Sequence, residues 1–277
     1  MPPSADRSTS VRARAPGGGF PLGLPRLIVP LVVTLALSAF AGSPESPRRR
    51  EARERSLAAI EGLGGEVLRH EEMPEAVDEV FLNGPDITDA ALTHLAPLHE
   101  LRALDLSESR ISDAGLVRLK PLENLRRLVL SDTPVRGSGL AHLAELPRLE
   151  SLELSKCPIT NAGLAAVRHL HGLDRLGLSH TLIDDRGLEN VAGLTGLRTL
   201  DLCHRRITDA GLAHLKGLTE LNWLRLTSAR VTDAGLVHLK GLTKLRTLIV
   251  YDTQVTEAGI QDLRRALPEL KVYHSIR

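Results

Sequence analysis

The feature that most constrains this chain is an internal repeat of 24 residues that runs from Ile87 to the C-terminus. Position 1 of each unit is Ile or Val, Leu dominates positions 6, 12, 15, 18 and 20, and Gly holds position 5 in every unit but the first. Because a single unit of this size cannot bury its own apolar side chains, such a period predicts a stack of units that cover one another. The units begin at Ile87, Ile111, Val135, Ile159, Ile183, Ile207, Val231 and Val255.

Each unit combines a short strand with a short helix. Positions 18 and 20 alternate with variable positions 17, 19 and 21, which is the period of a strand. Leu212 and Leu215, at positions 6 and 9, share one face of a helical turn. Thr208 and Asp209 precede that turn, and we expect their side-chain oxygens to cap its free amides. Strands stack about 4.8 Å apart whereas helices are about 10 Å wide, so the array must bend with its strands inside.

The apolar pattern carries a family resemblance. Residues 101–111, LRALDLSESRI, match L-x-x-L-x-L-x-x-N/C-x-L, and residues 77–277 therefore resemble leucine-rich repeat proteins. The helix start I-T-D-A-G-L is similar to the 24-residue ribonuclease-inhibitor-like and GALA-type repeats. The resemblance implies an α/β right-handed solenoid, a horseshoe with parallel strands on the concave face, short helices on the convex face, and protein recognition. The N/C position of this pattern, followed through successive repeats, forms what we call the N/C column. Pro85, Arg205 and Ala229 depart from it, so we expect the side-chain hydrogen bonds of the column to be interrupted there.

Composition narrows the function. Aromatic residues make up 2% of the chain, so the core must be aliphatic, and a net charge of +1 argues against a nucleic-acid partner. Cys157 and Cys203 are the two cysteines, and they lie two coils apart. Two strand spacings give about 10 Å, beyond the roughly 7 Å limit for a disulfide. We therefore expect both thiols to be free, with Cys157 buried and Cys203 exposed.

The N-terminal part of the chain differs in composition. Residues 1–42 form a basic leader in which 27–41 are uncharged and apolar and end in an A-x-A pattern. These are the parts of a secretory signal, so we expect an exported protein that is periplasmic, envelope-associated or secreted and is cleaved after Ala41. An uncleaved membrane anchor formed by 27–41 is the alternative, and a cytoplasmic protein with a misassigned start is a third. Residues 43–76 are expected to form a linker and an N-terminal cap.

The caps are predicted from local patterns. Residues 49–63 are expected to form an amphipathic helix with Leu57, Ile60 and Leu63 on one face, and residues 66–70 an edge strand. One residue is inserted near Ala266, which indicates the terminal cap at the other end.

The candidate binding surface is the concave face, formed by positions 17, 19 and 21. The Leu columns fill the core, so the few aromatic rings at these positions are free to act as interface anchors, and Arg is favoured in the same role. Asp201 and Arg225 share position 19 on neighbouring strands, and we expect a weak, exposed ion pair. The candidate protein-binding residues are Phe81, Asp201, Trp223, Arg225, Ile249 and Tyr251.

No pattern predicts catalysis or a cofactor. The nucleophile-elbow, zinc-protease and phosphate-loop motifs are missing from the sequence. His180 and His204 share position 22 on adjacent coils, but a metal there is the weaker interpretation. His94, His142, His214 and His238 share position 8 and are expected to be solvated on the convex face.

The sequence therefore predicts a monomeric, noncatalytic protein-binding module that would contact a membrane only through an uncleaved leader. The alternatives are small-molecule or glycan binding at a Trp223/Tyr251 platform, or a structural envelope protein.

Overall fold

The strands form one open sheet. The computed structural model of the protein describes residues 46–69 and 77–275, and within these ranges ten strands pair in sequence order. β1 pairs with β2 in the antiparallel sense, and every later pair is parallel. The strands are β1 Glu66–Arg69, β2 Val77–Phe81, β3 Ala103–Asp105, β4 Arg127–Val129, β5 Ser151–Glu153, β6 Arg175–Gly177, β7 Thr199–Asp201, β8 Trp223–Arg225, β9 Thr247–Val250 and β10 Lys271–His274.

Most helices between the strands are short 3-10 helices. A crossover between parallel strands needs a helical return, and a repeat of 24 residues leaves room for only a short one. The α-helices are α1 Pro47–Gly62, α2 Asp209–Leu212, α3 Asp233–Leu236 and α4 Glu257–Ala266. The 3-10 helices are Ala91–His94, Gly115–Leu119, Ser138–Glu145, Gly163–His169, Asp185–Asn190, Ala213–Leu215 and Val237–Leu239.

The leucine columns form one continuous aliphatic core. The position-18 leucines of β5, β6 and β7, Leu152, Leu176 and Leu200, are fully buried and pair laterally in register. Position 20 is buried in the same way, as at Leu154 and Leu202. The core-facing positions alternate with positions 17, 19 and 21, whose side chains therefore point to the concave face. The predicted leucine-rich solenoid is confirmed.

The I-T-D-A-G-L motif links one repeat to the next where its aspartate is present. Asp209 Oδ1 accepts a hydrogen bond from Thr232 N at 2.8 Å, and Asp209 Oδ2 accepts one from Thr232 Oγ1 at 2.7 Å. Thr232 Oγ1 in turn accepts from Ala234 N at 3.2 Å and caps α3. A Cβ at Gly235 would lie 2.3 Å from Asp209 Oδ1, so glycine makes room for the carboxylate. The threonine is thus the predicted cap, but the aspartate acts on the following repeat rather than on its own helix.

The aspartate link makes a measurable contribution to stability. Asp209→Ala removes a carboxylate that accepts two hydrogen bonds from Thr232, and we expect the free energy of unfolding to fall by about 2 kcal/mol. Urea unfolding followed by circular dichroism measures it. Asp262→Ala is the control, because Asp262 makes an exposed pair with Lys240, and exposed pairs contribute little to stability. Equal losses of unfolding free energy in the two variants would show that the link between repeats contributes no more than an exposed ion pair.

The side chains of the N/C column close each strand-to-helix turn. The hydroxyls of Ser109, Thr133, Thr181 and Thr253 each donate to the carbonyl oxygen three residues earlier. Arg205 and Ala229 make no such bond, as predicted. At Arg205 the turn itself changes: His204 does not take the positive φ that His180 and Ser228 adopt at position 22, and its ring bonds to Thr181 O instead.

Each end of the described solenoid carries an α-helix that is longer than the helices of the inner repeats. α1 buries Leu57 and Ile60 against the first repeat, and Ser46 caps it by accepting from Arg49 N. The prediction that Leu63 lies on the same face is wrong. Leu63 follows the last turn of α1 and is 44% exposed. At the other end α4 is longer than the helices of the inner repeats, and β10 completes the sheet.

Several predictions lie outside the described residues. These are the leader 1–42 with its apolar segment 27–41, cleavage after Ala41, and the part of the linker and cap up to residue 45 and from 70 to 76. Among the helices that the structure describes, none is long and apolar enough to cross a membrane.

Candidate binding surface on the concave face

Position 19 forms a lateral stripe across the concave face. Glu153 pairs with Gly177, Gly177 with Asp201, Asp201 with Arg225 and Arg225 with Ile249 along successive strands. Parallel strands lie about 4.8 Å apart, so these side chains are direct neighbours. We call this set, Glu153 to Ile249 at position 19, the central stripe.

Asp201 and Arg225 form a buried ion pair. The Asp201 side chain is fully buried, and that of Arg225 is 14% exposed. Arg225 Nε donates to Asp201 Oδ1 at 2.7 Å, and Arg225 Nη2 donates to Asp201 Oδ2. Ser179 Oγ adds a third hydrogen bond to Oδ1 at 2.5 Å. The prediction of a weak, exposed pair is wrong, because neighbouring side chains cover the bidentate contact and exclude the water that would screen it.

Arg225 also contacts the only tryptophan. Its guanidinium carbon lies 5.9 Å from the centroid of the Trp223 ring, within range of a cation–π interaction. Trp223 is half-buried at position 17 of the same strand, two residues away on the same face. The contacts therefore run from Asp201 to Arg225 to Trp223, and the carboxylate fixes the guanidinium that lies against the ring.

The structure brings together only some of the predicted site residues. Asp201, Trp223, Arg225 and half-buried Ile249 lie on the adjacent strands β7–β9. Tyr251, which is 41% exposed, lies four residues beyond Thr247, the partner of Trp223, or about 13 Å along the strand.

The remaining aromatic candidate is farther away. Phe81 is on β2, six strands from β8 in the sheet order, which is about 29 Å along the sheet. Trp223 and Tyr251 thus do not stack as one platform, and Phe81 is at the other end of the groove.

A buried glutamate next to this group was missed in the sequence. Glu153 is 7% exposed, and its Oε1 accepts a hydrogen bond from Ser155 N at 2.9 Å. Its Oε2 is buried without a hydrogen-bond partner in the part of the chain that the structure describes. The carboxylate lies over Gly177 on the next strand, where a Cβ would be only 2.1 Å from Oε2. The available signal was Gly177 itself, a glycine at a strand position where the neighbouring strands carry longer side chains.

The environment of Glu153 favours its neutral form. Burial raises the pKa of the carboxyl from 4.5 to about 7, and the negative charge of Asp201 acts in the same direction. The hydrogen bonds from Ser155 and the charge of Arg225 lower the pKa by less. A carboxyl that titrates near neutrality on a concave surface is a candidate functional group.

The two cysteines and His204 are buried within the solenoid. Cys157 Sγ donates to Leu130 O at 2.9 Å, and both thiols are free. Cys203 is buried, so the prediction that it is exposed is wrong. Burial raises the pKa of both thiols. Both ring nitrogens of His204 are engaged, one with Thr181 O and the other with Arg206 N. Within residues 46–69 and 77–275, no group of three or more His, Cys, Asp and Glu converges as metal ligands do.

Comparison with known proteins agrees with this architecture. A leucine-rich repeat family model matches residues 99–120 and 146–167. No curated protein matches the chain in sequence. Among solved structures, internalin C2 from Listeria monocytogenes superposes with a TM-score of 0.61 at 22% identity, covering 79% of this chain and 92% of that one. The chain contains leucine-rich repeats and has the leucine-rich repeat fold, and this fold suggests a protein-binding module.

Proposed function

We propose that this chain is a noncatalytic module that recognises a partner protein through its concave face, centred on Trp223 and Arg225. The observation that carries the proposal is the fixed orientation of these two side chains, since buried Asp201 holds Arg225 against the Trp223 ring. Trp and Arg are the residue types that most often dominate binding energy. Side chains that are ordered before association lose less entropy when they bind. Ile249 extends the surface with apolar area, and Tyr251 and Phe81 are contacts for a partner that follows the groove.

Substitution of the tryptophan tests this proposal. Partners are captured with the full chain from the native envelope fraction, and their affinities are then measured for purified wild type and Trp223→Ala. We expect binding to weaken at least about ten-fold, the loss that corresponds to about 1.4 kcal/mol. His214→Ala is the matched control, because His214 is a half-buried side chain on the helical face. Unchanged affinity in Trp223→Ala would remove this surface from the interface.

We place the module outside the cytoplasm, as a monomer in the periplasm, the envelope or the medium. The support is the sequence of the leader, with four arginines before an uncharged apolar run that ends in A-x-A. Retention of 27–41 as a membrane anchor is the competing arrangement.

N-terminal sequencing of the protein isolated from its native cells checks the leader. We expect the first residue to be Gly42, because a signal peptidase cuts after small residues such as those at positions 39 and 41. A protein that begins at or near Met1 and fractionates with membranes would support the anchor instead.

A further inference from the structure

The central stripe contains one carboxylate, that of Glu153, with an oxygen to which no described residue bonds. Asp201 is bonded by Arg225 and Ser179. Glu153, two strands away, accepts hydrogen bonds from Ser155, and among the described residues its Oε2 is buried without a partner. A buried acceptor without a donor is costly, because the solvation lost on burial is not replaced. Of the two carboxylates of the central stripe, Glu153 is therefore the one with an oxygen still available to a further donor.

Gly177 allows the carboxylate to occupy its present position. The Glu153 carboxylate lies in the space that a Cβ at Gly177 would take, with both oxygens within 2.2 Å of that point. Leu152 and Leu154, on either side of Glu153, point into the core, so the glutamate leaves the strand on the concave face. Rotation about its own side-chain torsions moves the carboxylate from Gly177 into the groove without a change in the backbone.

The charges around Glu153 determine which ligand group fits. Asp201 and Arg225 neutralise each other, so Glu153 contributes the unbalanced charge of the central stripe once it is ionised. Arg127 on β4 and Arg175 on β6 lie two positions back along the flanking strands, and neither bonds to Oε2. The group that complements the Glu153 carboxylate is a hydrogen-bond donor with a positive charge.

We infer that Glu153 is the receptor for a lysine or arginine side chain of the partner protein, and that it rotates off Gly177 into the groove to accept that side chain. This inference rests on the proposed function, because it assigns the chemistry of the partner on the same concave face. The burial that raises the pKa of Glu153 to about 7 supports it, since a basic partner would then bind with release of a proton below neutral pH.

Defined peptide pools test the inference. The full chain is immobilised at pH 8 and exposed to five heptapeptide pools whose central residue is fixed as Arg, Lys, Gln, Glu or norleucine, with uncharged residues elsewhere. We expect the Arg and Lys pools to bind about five-fold more strongly than the others, the size of one modest charge pair. In Glu153→Gln this preference should be lost, because the amide keeps the shape and removes the charge.

Matched variants separate the explanations. Glu150→Gln removes an exposed carboxylate of the same repeat that pairs with Arg126, and it should keep the preference. Gly177→Ala places a Cβ where the carboxylate lies and should keep or increase the preference by holding Glu153 in the groove. At pH 5.5 the preference of wild type should fall, because Glu153 is then protonated.

The outcomes distinguish this inference from the proposed function. Equal binding of all pools, a preference that survives Glu153→Gln, or failure of the Arg and Lys pools to bind overturns the role of Glu153. If the Arg and Lys pools bind no more strongly than the others but Trp223→Ala weakens the binding of every pool, the proposed function stands and the role of Glu153 does not. If the preference depends on Glu153 while Trp223→Ala has no effect, the inferred receptor stands and the tryptophan is not an anchor.

Discussion

Replacing Arg225 by alanine is expected to lower the free energy of unfolding by about 3–5 kcal/mol, the usual result of removing one partner of a buried ion pair. Asp201 is fully buried and would keep only the hydrogen bond from Ser179 Oγ. The ring of Trp223 would lose the guanidinium that lies against it. Denaturant unfolding followed by circular dichroism gives the change, and the fluorescence of Trp223 reports the local environment.

Two variants test whether the ion pair causes this loss. Lys244→Ala removes the exposed pair between Lys244 and Glu220, and it should cost under about 1 kcal/mol. Asp201→Asn combined with Arg225→Leu should recover more than half of the loss, because no unpaired buried charge remains. A loss in Arg225→Ala no larger than that in Lys244→Ala would contradict the buried character of the pair.

The second large effect is a dependence of stability on pH that comes from Glu153. The carboxyl has a folded pKa of about 7 against an ordinary value of 4.5, so the folded state binds more protons than the unfolded state between these values. The stabilisation is fully present below pH 4.5 and is lost as the pH rises through 7. At about 1.4 kcal/mol per pH unit, this amounts to about 3 kcal/mol.

Subtraction of a variant isolates that contribution from other carboxylates. In Glu153→Gln the residue stays neutral, so the variant should gain about 3 kcal/mol relative to wild type between pH 4.5 and pH 8. Gly177→Ala should show a smaller dependence than wild type, because the added Cβ displaces the carboxylate from its buried position. A constant difference between Glu153→Gln and wild type across this range would mean that the glutamate is solvated.

Much of the fold could be predicted because the repeat places the same residue types at the same positions. Leu152, Leu176 and Leu200 follow the alternation of a strand, and all are buried as expected. The helix start was predicted only in part. Thr232 caps its helix, but the partner of Asp209 lies 23 residues away in the next repeat, which local capping rules do not consider.

The candidate site could be located but not described. The register placed Asp201 beside Arg225, and the pair exists, but its burial depends on the side chains that surround it on three strands. The same register places Tyr251 beyond the end of β9, four residues past the partner of Trp223, so the two rings lie in separate parts of the groove. Cys203 is buried and Leu63 is exposed, the opposite of what the sequence predicts. Cys203 lies next to an irregular turn, and Leu63 lies at a helix end.

The sequence by itself determined the number of repeats, the aliphatic core and the residues that face the groove, because a strict period fixes which side chains each unit must bury. The tertiary structure decided what those groove residues do. Whether Asp201 is a screened surface charge or a buried anchor, and whether Glu153 is ionised or neutral at pH 7, depends on desolvation. Desolvation is set by distances between neighbouring coils, and no single repeat contains that information.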